Sequence, residues 1–147
     1  MFSHQQNLAK QDQQSIIMMV ACRTSNGDIV GVCEVDNRLP QEKKQMLEYR
    51  PYMCNLAVDI NWRRKGIAKA LVESCEKVAL LRWRAQKLYL KVREENIPAQ
   101  ILYKSLGYSV LLSSYQDDRT EEHQQSVKEY LEDGSAALVF YKNLDST

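Results

Sequence analysis

No apolar run in the sequence approaches the roughly 20 residues that a helix needs to span a bilayer, so a membrane protein is not expected. Charge of one sign is lacking too. Twenty Lys and Arg against 19 Asp and Glu leave +1 over 147 residues, too balanced a surface to imply a nucleic-acid or membrane partner. The four cysteines, Cys22, Cys33, Cys54 and Cys75, form no CxxC pair, so zinc and dithiol redox chemistry have no obvious ligand set and no metal is expected. Each lies in an apolar stretch and reads as a buried, reduced thiol in a reducing compartment. The spacings GxxxxGK[ST] and GxGxxG are both absent, which disfavours Walker-type nucleotide hydrolysis and nicotinamide-dependent chemistry. Nothing in the first fifteen residues resembles a signal peptide, and no Pro- or Ser-rich linker interrupts the chain.

What the chain does have is the length and composition of one soluble domain, at 44% hydrophobic and 27% charged residues. Its charge is unevenly placed. Between Arg63 and Arg93 stand ten Lys or Arg against Glu73 and Glu76, a local excess of +8. From Gln116 to Asp133 the balance inverts, with seven acids against Arg119 and Lys128. Two solvated faces would explain the pattern; so would a basic half that receives a polyanion.

Residues 1–15 read as a tail or the remnant of a helix, and 16–143 as one domain. Ile16–Cys22 reads as a buried strand and Ile29–Val35 as its hairpin partner across Asn26-Gly27-Asp28. Residues 37–50 read as a loop and Tyr52–Val58 as a third strand. Ile67, Ala70, Leu71, Ser74, Cys75 and Val78 keep a helical spacing over about four turns. Leu88–Val92 is a strand. Asn96 reads as an N-cap with Pro98 in the first turn, and Gly107 as the C′ residue of a short helix. Tyr108–Tyr115 reads as a strand, 120–132 as a polar helix or loop, and Ala136–Tyr141 as the last strand. Strands first pair in a meander and are then joined through helices, so the fold class is mixed α/β rather than doubly wound.

Strand Tyr52–Val58 runs into Asp59-Ile60-Asn61-Trp62-Arg63-Arg64-Lys65-Gly66 and then a helix. A basic loop with one glycine ahead of a helix N-terminus is an anion site, although a tight strand-to-helix turn needs a glycine as well. Residues 54–68, CNLAVDINWRRKGIA, resemble the signature L-A-V-x-P-x-x-[RQ]-x-x-G-x-[GA] of the GNAT superfamily of acetyl-CoA-dependent N-acetyltransferases, with Ile60 where proline is frequent. Asn96-x-x-Ala99-x-x-x-Tyr103-x-x-x-Gly107-Tyr108 resembles that family's second signature. The resemblance covers about 16–143 and is nearest the branches that acetylate protein N-terminal and lysine amines. The family's first strand and first two helices have little sequence here to occupy.

The resemblance implies a GNAT-like single domain with a central, mostly antiparallel sheet flanked by helices. It implies that acetyl-CoA is the cosubstrate, with its pyrophosphate on the loop Arg63, Arg64, Lys65, Gly66, Ile67, Ala68 and Lys69 and its pantetheine arm along Leu56, Ala57 and Val58. Asn96 would bond the pantetheine, the Leu56 N–H would polarise the thioester carbonyl, and Tyr103 would protonate the leaving thiolate. Tyr52 aligns with a position that carries a Glu or Tyr base. Strand alternation predicts that Tyr52, Cys54, Leu56 and Val58 share one face. A tyrosine of pKa about 10 would work through water or by orienting the amine, and Glu34 is the other base candidate. Relatives place Glu or His where this chain has Lys91, so that role does not carry over. Cys54 lacks a neighbouring histidine and reads as no nucleophile; His4 and His123 read as surface residues. The acceptor is expected to be a peptide or protein amine. A small amine (polyamine or aminoglycoside) and non-catalytic acyl-CoA binding are the alternatives, and a homodimer is allowed. The expected location is the cytoplasm, or the plastid stroma if a transit segment has been removed.

Overall fold

The computed structural model describes residues 15–38, 49–116 and 122–145. The expectations for residues 1–14 with His4, for most of the 37–50 loop and for 117–121 of the acidic stretch fall outside them. The chain divides into two compact units, 1–88 with 143–147, and 89–142. No helix among the described residues is long and apolar enough to cross a membrane.

In the first unit, β1 (Ile16–Cys22) and β2 (Ile29–Asp36) form the expected antiparallel hairpin. The Arg23 N–H donates to the Asp28 carbonyl at 2.8 Å, and the Asn26 side chain accepts from the Asp28 N–H at 3.1 Å, the local bonding that makes Asn-Gly-Asp a turn. β1 is not the buried strand expected. It alternates, leaving Ile16, Met18 and Val20 43%, 56% and 49% exposed, and Cys22 is exposed with them.

β3 (Tyr52–Val58) pairs antiparallel with β2. α1 (Ile67–Lys77) packs Leu71, Val72 and Cys75 inward, against the face that carries Cys33, Val35 and Met53. Fully burying residues such as Leu and Val contributes about 1.5–3 kcal/mol each. Gly31 makes the close approach possible: a Cβ there would stand 3.0 Å from both Ile67 Cγ2 and Leu71 Cδ1. The regular part of α1 ends at Lys77, one residue before the end of the predicted stripe. The helix widens into a π turn over Val78–Arg82, with the Trp83 N–H reaching the Val78 carbonyl at 3.3 Å, and this turns both Ala79 and Trp83 inward. β4 (Lys87–Arg93) follows.

In the second unit, α2 (Ile97–Ser105) has the predicted ends. The Asn96 side chain accepts from the Ala99 N–H at 3.2 Å and Pro98 lies in the first turn. At the other end Tyr108 N–H reaches the Tyr103 carbonyl at 3.0 Å and Gly107 N–H reaches the Lys104 carbonyl at 3.1 Å, the paired bonds of a Schellman motif. The strand expected over Tyr108–Tyr115 is two strands, β5 (Ser109–Val110) and β6 (Leu112–Gln116). The chain changes partner at Leu111: β5 pairs with β9 (Ala136–Asn143), whereas β6 pairs with β7 (Glu122–Ser126) in a separate two-stranded ribbon. The polar helix or loop expected over 120–132 is therefore corrected to strands, β7 and β8 (Lys128–Tyr130), the latter also on β9. Their strand conformation comes from cross-strand partners, not from any apolar alternation of their own. β9 also runs two residues past the predicted end, to Asn143. The α/β class holds, and the pairs β1–β2, β2–β3, β5–β9, β6–β7 and β8–β9 are all antiparallel.

Candidate functional site

The first unit gathers the residues of the first signature. Two backbone features mark β3 and the loop behind it. Between Val32↔Ala57 and Glu34↔Cys54 the register shifts, so Asn55 and Leu56 both oppose Cys33, and Asn55 has φ +54°. This is a β-bulge, which takes one residue out of the ladder. It also corrects the predicted face. Cross-strand partners share a face, so Tyr52 and Cys54 lie with Glu34, Asp36 and Ala57, whereas Val58 lies with Gly31 on the α1 side.

The loop after β3 is pinned at both ends. The Asp59 N–H donates to the Val30 carbonyl at 2.8 Å, the Asp59 side chain caps a short 3-10 turn (Ile60–Trp62) through the Asn61 N–H at 2.8 Å, and Arg63 Nε donates to the Val58 carbonyl at 3.2 Å. Arg64 and Gly66 then both take the left-handed conformation, at φ +60° and +78°. For arginine this is a strained region, and such strain gathers where a loop holds a ligand. Gly66 is the N-cap of α1. The first bond of the helix is Ala70 N–H to the Gly66 carbonyl at 3.1 Å, so the amides of Ile67, Ala68 and Lys69 precede the ladder and project toward the positive end of the helix dipole. Lys69 pairs only at 3.9 Å with Glu73, both exposed. The loop is thus a basic, N–H-lined turn, suited to a polyphosphate.

Two cations flank the Trp62 ring of this loop, one of them outside the residues that the sequence singled out. Arg23, from the β1–β2 turn, and Lys65 lie 5.2 Å and 5.6 Å from the centre of the Trp62 ring, within cation–π range. Only the fold reveals the Arg23 contact, because 39 positions separate the pair.

Around Tyr52 the electrostatics are now visible. Asp36, directly opposite it, is 3% exposed and binds Arg38 at 2.8 Å, with Arg50 further away at 3.8 Å. Burial opposes ionisation of Asp36, but Arg38 and then Arg50 outweigh it and hold the carboxyl below its usual range. Burial, then Cys54 and Asp36, hold the Tyr52 phenol above its usual value, against the pull of Arg50, whose guanidinium lies 4.3 Å over the ring. Tyr52 is therefore a neutral phenol near pH 7, with less phenolate available to act as a direct base than a free tyrosine has.

Cys54 is pushed up to about 11 by burial, then by Glu34 and Asp36. A thiol so protonated is a poor nucleophile. Cys54→Ser is expected to keep most of the activity. Mass spectra of the intact chain with acetyl-CoA alone should show no added acetyl group; an adduct that disappears in Cys54→Ser would overturn this. Cys33 and Cys75 are buried and unpaired by disulfide, and their mutual hydrogen bond, with burial, raises the Cys33 thiol further.

The second unit holds Asn96 and Tyr103 at opposite ends of α2. The Tyr103 ring meets Tyr108 edge-on, with centroids 6.0 Å apart. Lys91, which stands where relatives were expected to carry a base, forms an ion pair with Glu129 of β8. Arg93 pairs with Asp133 at 2.8 Å and Lys128 with Glu94 at 2.8 Å. The far end of the basic stretch, Lys91 and Arg93, is thus answered by the acidic one.

Comparison with known proteins agrees with this geometry. Residues 2–108 match the model of the acetyltransferase (GNAT) family. Over 93 residues the chain is 33% identical to GCN5-related N-acetyltransferase 10, chloroplastic, of Arabidopsis thaliana, covering 59% of this chain and 35% of that protein. Over 69 residues it is 38% identical to an N-alpha-acetyltransferase of Saccharolobus solfataricus, covering 45% of this chain and 41% of that one. The chain thus spans about a third to two-fifths of these relatives' own length. The crystal structure of nourseothricin acetyltransferase superposes with a TM-score of 0.61 at 23% identity, over 88% of this chain and 66% of that one, and so shares its fold. A matched family model over most of the chain, the shared fold and the N–H-lined loop behind a bulged strand agree: this chain belongs to the acetyltransferase (GNAT) family.

Proposed function

We propose that the chain, as one domain over 16–143, transfers an acetyl group from acetyl-CoA directly to a primary amine, and that the acceptor is a protein N-terminal or lysine amine. The observation that carries this is the pair of left-handed residues, Arg64 and Gly66, set immediately ahead of the unpaired first turn of α1. The amides of Arg64, Gly66 and Ala68 hold the pyrophosphate, and Lys65 and Lys69 add charge. The bulged stretch Leu56–Val58 takes the pantetheine arm, and the Leu56 N–H steadies the oxyanion that forms as the amine attacks. The Asn96 carbonyl oxygen is spent on the α2 cap, which leaves its amide N–H groups to donate to the pantetheine. Tyr103 protonates the departing thiolate. Tyr52, kept neutral by its surroundings, orients the amine or passes its proton to water. The similarity to a protein named as an N-alpha-acetyltransferase supports the choice of acceptor.

The test is acetyl-CoA turnover on peptides with free N-termini, lysine peptides and polyamines. The expected result is fastest turnover on a peptide amine. Faster polyamine turnover would reassign the acceptor, and acetyl-CoA binding with no turnover on any amine would leave an acyl-CoA-binding domain.

A further inference from the structure

The face of β2 and β3 that carries Tyr52 and Cys54 is charged at two neighbouring positions, Glu34 and Asp36. Glu34 lies opposite Cys54, and its Oε2 accepts from Asn55 Nδ2 at 2.9 Å and lies 3.8 Å from Cys54 Sγ. Two residues along the same strand, Asp36 lies opposite Tyr52, with the Arg50 guanidinium over the Tyr52 ring at 4.3 Å. Asp36 does not satisfy Arg50. The Arg38 main-chain N–H, Nε and one terminal nitrogen occupy the carboxylate at 2.8, 3.1 and 2.8 Å. The Arg50 side chain bonds the Tyr52 hydroxyl, but its Nη1 stays 3.8 Å from Asp36 and, among the described residues, is a buried donor without a hydrogen-bond partner. A buried donor left unpaired costs about 1–3 kcal/mol, so the site gains by receiving a planar anion, the group a guanidinium fork fits best.

Resting on the reading that this face meets the acceptor, we propose that Arg50 is a specificity-determining residue that binds a carboxylate adjacent to the reacting amine, while Glu34 faces the amine itself. Glu34 and Asp36 stand two positions apart on β2, roughly 6.7 Å, and Arg50 lies beside Asp36, so the carboxylate and the guanidinium serve neighbouring parts of one face. The carboxylate comes either from a free α-amino acid or from an acidic first residue of a peptide.

The test compares kcat/KM for each acid with its carboxamide in two arms, alanine against alaninamide and an N-terminal Asp peptide against its Asn counterpart. It uses wild type, Arg50→Gln and Arg50→Lys, with circular dichroism to confirm folding. Wild type is expected to prefer the acid at least tenfold in one arm, which names the source. Arg50→Gln should bring that ratio to about one, and Arg50→Lys, which keeps the charge but not the fork, should fall between. In the alanine arm, converting the carboxylate to an amide lowers the amine's basicity and supplies more free amine, so chemistry alone would favour the amide. Turnover without acid preference in wild type, or a preference that survives in Arg50→Gln, overturns the proposal and leaves the acetyl-transfer reading standing. No turnover on any amine overturns both.

Discussion

Tyr103→Phe is expected to lower kcat by about 10²–10⁴ while acetyl-CoA binds nearly as before. The substitution removes one oxygen and little else. The Tyr103 main-chain carbonyl still receives the Tyr108 N–H at 3.0 Å, and the ring still meets Tyr108 edge-on. The end of α2 is therefore preserved, and any loss of rate belongs to the hydroxyl. A proton given to the thiolate acts only as the C–S bond breaks, so kcat and kcat/KM should fall together. Steady-state kinetics with calorimetric acetyl-CoA affinities measure both. A fully active variant would place the proton donor elsewhere.

Gly66→Asp is expected to weaken acetyl-CoA binding at least tenfold, about 1.4 kcal/mol, in a chain that still folds. A Cβ at Gly66 would meet nothing within 4 Å, so the main cost of the substitution is the left-handed backbone, φ +78°. Asp and Asn tolerate that region better than most residues, which makes Gly66→Asn the matched control. The charge then separates two effects of opposite sign. Ahead of a helix N-terminus a carboxylate favours the free fold by about 0.3–1 kcal/mol, but it repels a pyrophosphate held by the same amides. Gly66→Asp should thus equal or exceed Gly66→Asn in urea midpoint while binding acetyl-CoA more weakly. Equal affinities in the two variants would remove the pyrophosphate from this loop.

Features legible in the sequence are those that neighbouring residues decide. Asn26-Gly27-Asp28 closes its own turn, Asn96 and Gly107 cap their own helix, and the apolar spacing of Ile67–Val78 marks the buried face of α1. Hidden features depend on distant partners. Nothing local to Asn55 signals a bulge, which arises because β3 carries one residue more than β2 between two pairings. Glu122–Ser126 has no strand pattern until Leu112–Gln116 lies beside it. The same holds for the site. The turn ahead of α1 was legible from Arg63, Gly66 and Ala68, because a motif of fixed spacing carries its own geometry. The Arg23 contact with Trp62, the Arg50 stack on Tyr52 and the Glu129 pairing of Lys91 were not, because each joins side chains that only the fold brings together.

Direct transfer of the acetyl group to an amine is best tested in a single turnover, with the chain in excess over acetyl-CoA and a peptide acceptor present. Quenched samples are assayed for free CoA thiol, acetylated peptide and acetylated protein. Thiol and acetylated peptide should rise at one rate and to equal amounts, with no acetyl group on the protein at any time. Acetylated protein that precedes the product, or thiol that never appears although acetyl-CoA is bound, would contradict it.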